Sequence, residues 1–164
     1  MNFEEIYRHL FKRVLAYIIS RVSNRTAAED IACRTWQKAW DKQYQFNPQK
    51  GTPEQWIFTI ARNEVNKYFR FWQVKRFFSL TDQEDTRASD EQTPPQAWAQ
   101  AKRKEALVAA LQILSPRERD LLALKFQSTL NNRQIAALTG LSESNVGTIL
   151  NRAVTKLRTR LEDL

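Results

Sequence analysis

Five polar side chains near the C-terminus have the types and spacing to read DNA. Ser144, Asn145, Thr148, Asn151 and Arg152 recur at helical steps and supply amide, hydroxyl and guanidinium groups. Such groups meet base edges in a major groove. The elements that must hold them are legible in the run from Asn131 to Leu157. Asn131 with Gln134 has the spacing of a capping box. Ile135, Ala136 and Leu138 give the first helix an apolar face. Gly140 takes the turn, and Ser142 caps a second helix. Its buried side is expected to be Val146, Ile149, Leu150 and Ala153. The pattern is a helix-turn-helix with a basic tail, although a glycine between two amphipathic helices also occurs in all-α proteins that bind no DNA.

A second cluster lies between Trp56 and Trp72, dense in aromatics and cations. Ile57, Ile60, Ala61, Val65 and Tyr68 suit a buried stripe, leaving Arg62, Asn63, Asn66, Lys67 and Arg70 outward. Aromatics among cations suit single-stranded nucleic acid, where bases stack on rings and phosphates meet Lys or Arg. They equally suit a core with a charged surface, and the residues alone leave both readings open.

Catalysis has little support. With one cysteine, Cys33, no internal disulfide forms, and with one histidine, His9, no zinc-ligand spacing exists. The three glycines form no phosphate-cradling loop. No cofactor, metal or catalytic residue is expected. Cys33 reads as a helix-face residue, with a redox or partner-metal role as the alternative; His9 reads as solvated.

The 164 residues carry a net charge of +8, which points to a polyanionic partner. The charge is segmented. Residues 1–79 hold 14 basic against 7 acidic side chains, and residues 99–164 hold 11 against 6. Between them Arg87 faces Asp82, Glu84, Asp85, Asp90 and Glu91, beside Thr93-Pro94-Pro95. Too few apolar residues lie there to order the segment. The expectation is an all-α chain of two small domains, 1–79 and 97–164, joined by a flexible acidic linker at 80–96. Trp98 is expected in the core of the second.

In the first domain, Phe3, Ile6, Tyr7, Leu10, Phe11, Val14, Leu15, Ile18, Ile19 and Val22 form one helical stripe. Thr26-Ala27-Ala28-Glu29 has the spacing of a capping box for a second helix, running to about Trp40. After a polar loop, Asp41 to Gly51, Thr52 and Pro53 open a third helix that reaches Phe71 or beyond. A helix from Ala97 to Leu114 and another, capped by Ser115-Pro116-Arg117-Glu118 and ending near Gln127, precede the helix-turn-helix. No alternating strand pattern and no internal repeat appears. No apolar run is long enough to span a bilayer and no signal peptide is evident, so membrane insertion is not expected and a cytoplasmic location is.

The sequence resembles the extracytoplasmic-function (ECF) sigma factors, two-domain bacterial transcription initiation factors. Residues 28–40 (AEDIACRTWQKAW) resemble the family's polymerase-binding helix, and residues 56–63 (WIFTIARN) its next motif. Residues 135–146 (IAALTGLSESNV) with Asn151-Arg152-Ala153 resemble its C-terminal helix-turn-helix. The resemblance implies that Asp30, Ile31, Cys33, Arg34, Trp36, Gln37 and Trp40 bind the clamp of core RNA polymerase. It implies that Tyr44, Phe46 and Asn47 capture a base flipped from the −10 element, with Arg62, Asn63, Asn66, Lys67 and Arg70 along the opened strand. The second domain would bind the polymerase flap and read the −35 element through Arg133, Ser142, Ser144, Asn145, Thr148, Asn151 and Arg152. The acidic linker would thread a channel otherwise used by nucleic acid. Two departures stand out: Cys33 replaces the family's usual glutamine, and Lys67 its usual aspartate. Gly147 and Ile149 also stand where relatives often carry basic residues. With no further domain after Leu164, control by a separate anti-sigma protein is expected. The competing classes are a helix-turn-helix regulator that never binds polymerase, which has no need of the Asp30–Trp40 helix, and a nucleic-acid enzyme, which needs carboxylate pairs or metal ligands beside the basic faces.

Overall fold

The computed structural model describes residues 1–78 and 96–163; of residues 78, 96–101 and 104 only the backbone is described. The side chain of Trp98, and with it the expectation that Trp98 is core, and nearly all of the expected linker therefore lie outside what is described. Every regular element among them is helical. They divide into two units. The first holds α1 (Phe3–Arg21), α2 (Arg25–Asp41), a 3-10 turn (Gln43–Gln45) and α3 (Pro53–Phe78). The second holds α4 (Gln96–Leu111), α5 (Pro116–Gln127) through Lys125, α6 (Asn132–Thr139) and α7 (Glu143–Glu162).

In the first unit α1 buries Leu10, Val14, Tyr17 and Ile18. α2 buries Ala28, Ile31, Ala32, Thr35, Trp36 and Ala39. From α3, Ile57, Phe58, Ala61 and Val65 complete the core. The alanines let the helix axes approach closely. Tyr17 and Phe58 meet edge to face at 5.8 Å between ring centroids. The buried Thr35 hydroxyl donates to the Ile31 carbonyl at 2.8 Å, which satisfies it within its own helix.

The expected α1 stripe is buried from Leu10 through Val14 and Ile18 to Val22, with two departures. Tyr17 is fully buried, whereas Tyr7 is 40% exposed. The start of α2 also differs: Asn24, not Thr26, is the cap, its side chain accepting from the Ala27 amide at 3.0 Å. Glu29 instead pairs with Arg25 at 3.0 Å. At α3 the expected cap is present, with Gln55 N–H donating to Thr52 Oγ1 at 3.2 Å.

The second unit is built on local caps. Ser115 and Glu118 form a reciprocal box at the start of α5, at 2.9 and 3.1 Å. Asn131 and Gln134 do the same at α6. Glu118 also accepts from Lys156 of α7 at 2.8 Å, tying the two helices together. The Lys156 hydrogen bond, helped by the Ser115 amide, holds the Glu118 carboxyl below its ordinary value of 4.5 against the opposing effect of burial. A depressed carboxyl contributes stability above its unfolded pKa and loses it as the pH falls through the folded one. Glu118→Gln keeps the capping box, where Gln serves as well as Glu, but gives up the Lys156 ion pair, and is therefore expected to cost about 0.5–1 kcal/mol at neutral pH. It should also flatten the fall in the urea midpoint below pH 4.5.

Gly140 ends α6 with φ of 76°, and its N–H donates to the Ala136 carbonyl. A Cβ there meets nothing within 4 Å, so the backbone alone opposes a side chain. Gly140→Ala is expected to cost about 1–2 kcal/mol in the same urea measurement.

Candidate nucleic-acid and partner interfaces

α7 separates its two faces cleanly. Val146, Leu150 and Ala153 are buried, while Ser144, Asn145, Thr148, Asn151 and Arg152 are exposed. Ile149, expected in the core, is only half-buried. Ser142 Oγ caps the helix by accepting from the Asn145 N–H at 3.1 Å. Thr148 donates its hydroxyl to the Ser144 carbonyl at 3.0 Å. The side chains of Asn145, Asn151 and Arg152 hold no hydrogen bond among the described residues, so their donors and acceptors are available outward. Arg133, at the start of α6, lies 3.7 Å from Glu143, which offsets its charge beside the start of α7.

On α2, Asp30, Cys33, Arg34, Gln37 and Trp40 are exposed. Ile31 and Trp36 are not: they are 0% and 7% exposed and pack inside the first unit. Trp36 stands edge-on to Tyr7 at 4.8 Å and to Phe3 at 6.1 Å. These two expected contact residues therefore support the face from beneath rather than form it. Trp40 is 56% exposed and leans on Phe3 at 5.2 Å. Gln37 donates to Asp41 at 3.1 Å.

The loop between α2 and α3 presents one aromatic ring and anchors another. Tyr44, on the 3-10 turn, is 78% exposed. Phe46 is half-buried against Trp56, with ring centroids 5.6 Å apart. Asn47 is exposed, but its Oδ1 accepts from the Gln49 N–H at 2.9 Å, so it also builds the turn. Along α3, Asn63, Lys67 and Arg70 are exposed and Arg62 and Asn66 half-buried. The two readings of the α3 aromatics each hold for a part: Phe58 is core, whereas Phe71 and Phe77 are exposed. Lys75 Nζ lies 4.8 Å above the Trp72 ring, a cation over an aromatic face.

One charged group was missing from the sequence reading. Glu64 is 3% exposed and meets Lys38 and Arg34 of α2. It falls in the same three-four spacing as Ile57, Ala61 and Val65, and that periodicity was the available signal. Among the described residues no three His, Cys, Asp or Glu side chains are grouped to hold a metal ion, and no helix is long and apolar enough to cross a membrane.

Comparison with known proteins places these faces in a family. The model for sigma-70 region 2 matches residues 6–72, and that for sigma-70 region 4 matches residues 104–157. The chain belongs to the ECF sigma-70 family. It is similar to the ECF RNA polymerase sigma factor SigM of Bacillus subtilis, 28% identical over 159 residues, covering 96% of this chain and 94% of the relative. RpoE of Cereibacter sphaeroides, another ECF sigma factor, is 28% identical over 158 residues, covering 95% of this chain and 84% of the relative. Among solved structures, the sigma factor RpoE in complex with the anti-sigma factor NepR from Bartonella quintana shares the fold. Its TM-score is 0.78 at 23% identity, covering 98% of this chain and 97% of that one. CnrH, in complex with the cytosolic domain of CnrY, has a TM-score of 0.71 at 20% identity, covering 98% and 88%. In this ECF sigma factor, the α2 face and α3 as far as Trp72 lie within the region 2 match, and the α7 reading face within the region 4 match.

Proposed function

We propose that this ECF sigma factor binds core RNA polymerase and directs it to promoters whose −10 and −35 elements its two units read. The observation that carries the reading is the ordered pair of family matches, region 2 then region 4, each laid over an exposed polar face. Residues 1–79 form the polymerase and −10 domain, residues 80–96 the acidic joining segment, and residues 97–164 the −35 domain.

Within the first domain, Asp30, Cys33, Arg34, Gln37 and Trp40 contact the polymerase clamp. Tyr44, with Phe46 and Asn47 shaping its loop, receives a flipped base of the −10 element. Asn63, Lys67 and Arg70, flanked by Arg62 and Asn66, follow the opened strand. In the second, Ser144, Asn145, Thr148, Asn151 and Arg152 read the −35 major groove, with Ser142 and Arg133 at the helix entrance and the flap bound elsewhere on the domain. The protein contributes no catalysis of its own and works in the cytoplasm. A separate anti-sigma protein covers its polymerase-binding faces, a reading supported by the solved complex of RpoE with NepR.

The test is transcription in vitro from a library of genomic fragments, with purified core polymerase, with and without the protein. Discrete starts preceded by shared −35 and −10 sequences are the expected result. DNA binding without initiation, together with no affinity for core polymerase, would replace this reading with a regulator that acts apart from polymerase.

A further inference from the structure

Glu64 is a carboxylate on α3 with 3% exposure, and both its oxygens are taken by cations of α2. Lys38 Nζ holds Oε1, and Arg34 Nε lies 3.6 Å from Oε2. Burying a carboxylate is costly unless cations and hydrogen bonds accompany it. Stability alone is a weak reason for such an arrangement, because well-packed apolar replacements of buried ion pairs are often neutral or stabilising. Its other effect is orientation. Arg34 is 55% exposed in its side chain, and it makes no other ion pair among the described residues, Asp30 one turn earlier included. Nε is the atom paired with Glu64, and the two terminal nitrogens of the half-exposed guanidinium hold no hydrogen bond among the described residues. Lys38 is engaged on the other oxygen and offers no fork in its place.

We propose that Glu64 is a positioning residue for polymerase binding, holding the Arg34 guanidinium so that its free N–H groups meet a carboxylate on the polymerase. This rests on the reading of α2 as the polymerase-binding helix. A planar fork fixed in advance loses less side-chain freedom on binding than a loose one, and it suits a carboxylate bidentately. The neighbouring exposed residues Cys33 and Gln37 bring no positive charge to the face, so Arg34 is its principal cation.

The experiment is a double-mutant cycle in the full chain, with affinity for core polymerase as the readout and circular dichroism as the check on folding. Glu64→Gln and Arg34→Gln are each expected to weaken binding about five-fold, and the double variant to be no weaker than Arg34→Gln alone. A merely structural Glu64 would weaken binding equally in both backgrounds, and that result overturns the proposal. Should Glu64→Gln fail to fold, Arg34→Lys decides, since it keeps the charge and loses the fork. Affinity as low as that of Arg34→Gln is expected, and wild-type affinity overturns the proposal. A wild-type chain with no affinity for core polymerase would overturn the functional reading and this proposal with it. Wild-type affinity without coupling overturns the proposal alone.

Discussion

Replacing Phe58 by alanine is expected to unfold the first unit. The ring has no exposed surface and meets the equally buried Tyr17 edge to face, in the layer where α1 and α3 touch. Truncating a buried phenylalanine costs about 3–5 kcal/mol, partly as lost transfer energy and partly as the cavity left behind. Domains as small as this one bury too little surface to have much in reserve. Amides of α1, α2 and α3 in the variant should lose protection from hydrogen exchange, while those of α6 and α7 keep theirs. Initiation at promoters should be lost with them. Phe58→Leu, which keeps most of the volume, should retain protection. Full protection of α1–α3 in the alanine variant would show that the Tyr17–Phe58 layer is not what holds the unit.

What the sequence disclosed was mostly local. The caps at Thr52, Ser115, Asn131 and Ser142, and the turn at Gly140, each depend on residues three or four apart. A cap satisfies backbone donors of its own helix, so no distant contact is needed to place it. The miss at α2 is local as well. Asn24–Ala27 and Thr26–Glu29 have the same spacing, and the linker after α1 is short enough for Asn24 to take the cap. Burial was harder to place. Periodicity fixes which residues share a face but not how wide that face becomes when a helix packs on two neighbours. α3 packs on both α1 and α2, and so buries Phe58 and Glu64 beyond the expected stripe. Ile31 and Trp36 mark the converse limit. A motif matched along the chain includes residues that shape a surface from below together with those that touch a partner, and only packing separates them.

The second large effect is expected at the α7 face. Asn145 and Asn151 are exposed amides with no side-chain hydrogen bond among the described residues, one in the first turn and the other six residues further along. An asparagine amide matches adenine N6 and N7 in the major groove, and each well-placed bidentate pair discriminates by about 1–3 kcal/mol. Asn145→Ala should therefore reduce initiation at the best promoter by about five- to a hundred-fold and relax preference at one −35 base pair. Arg152→Ala should relax a different position, where a guanine is the natural match for its fork. Arg158 and Arg160, further along the basic tail, lie beyond the reading face. If either touches DNA it meets phosphate, so its loss should weaken all −35 variants alike and lower the salt slope by about one. Lys156 is held by Glu118, and its replacement should act on stability rather than on sequence preference. Measured on a promoter library randomised at −35, these variants make distinct patterns. Uniform weakening by Asn145→Ala would move that residue from base reading to backbone contact, and with it the assignment of the exposed α7 face.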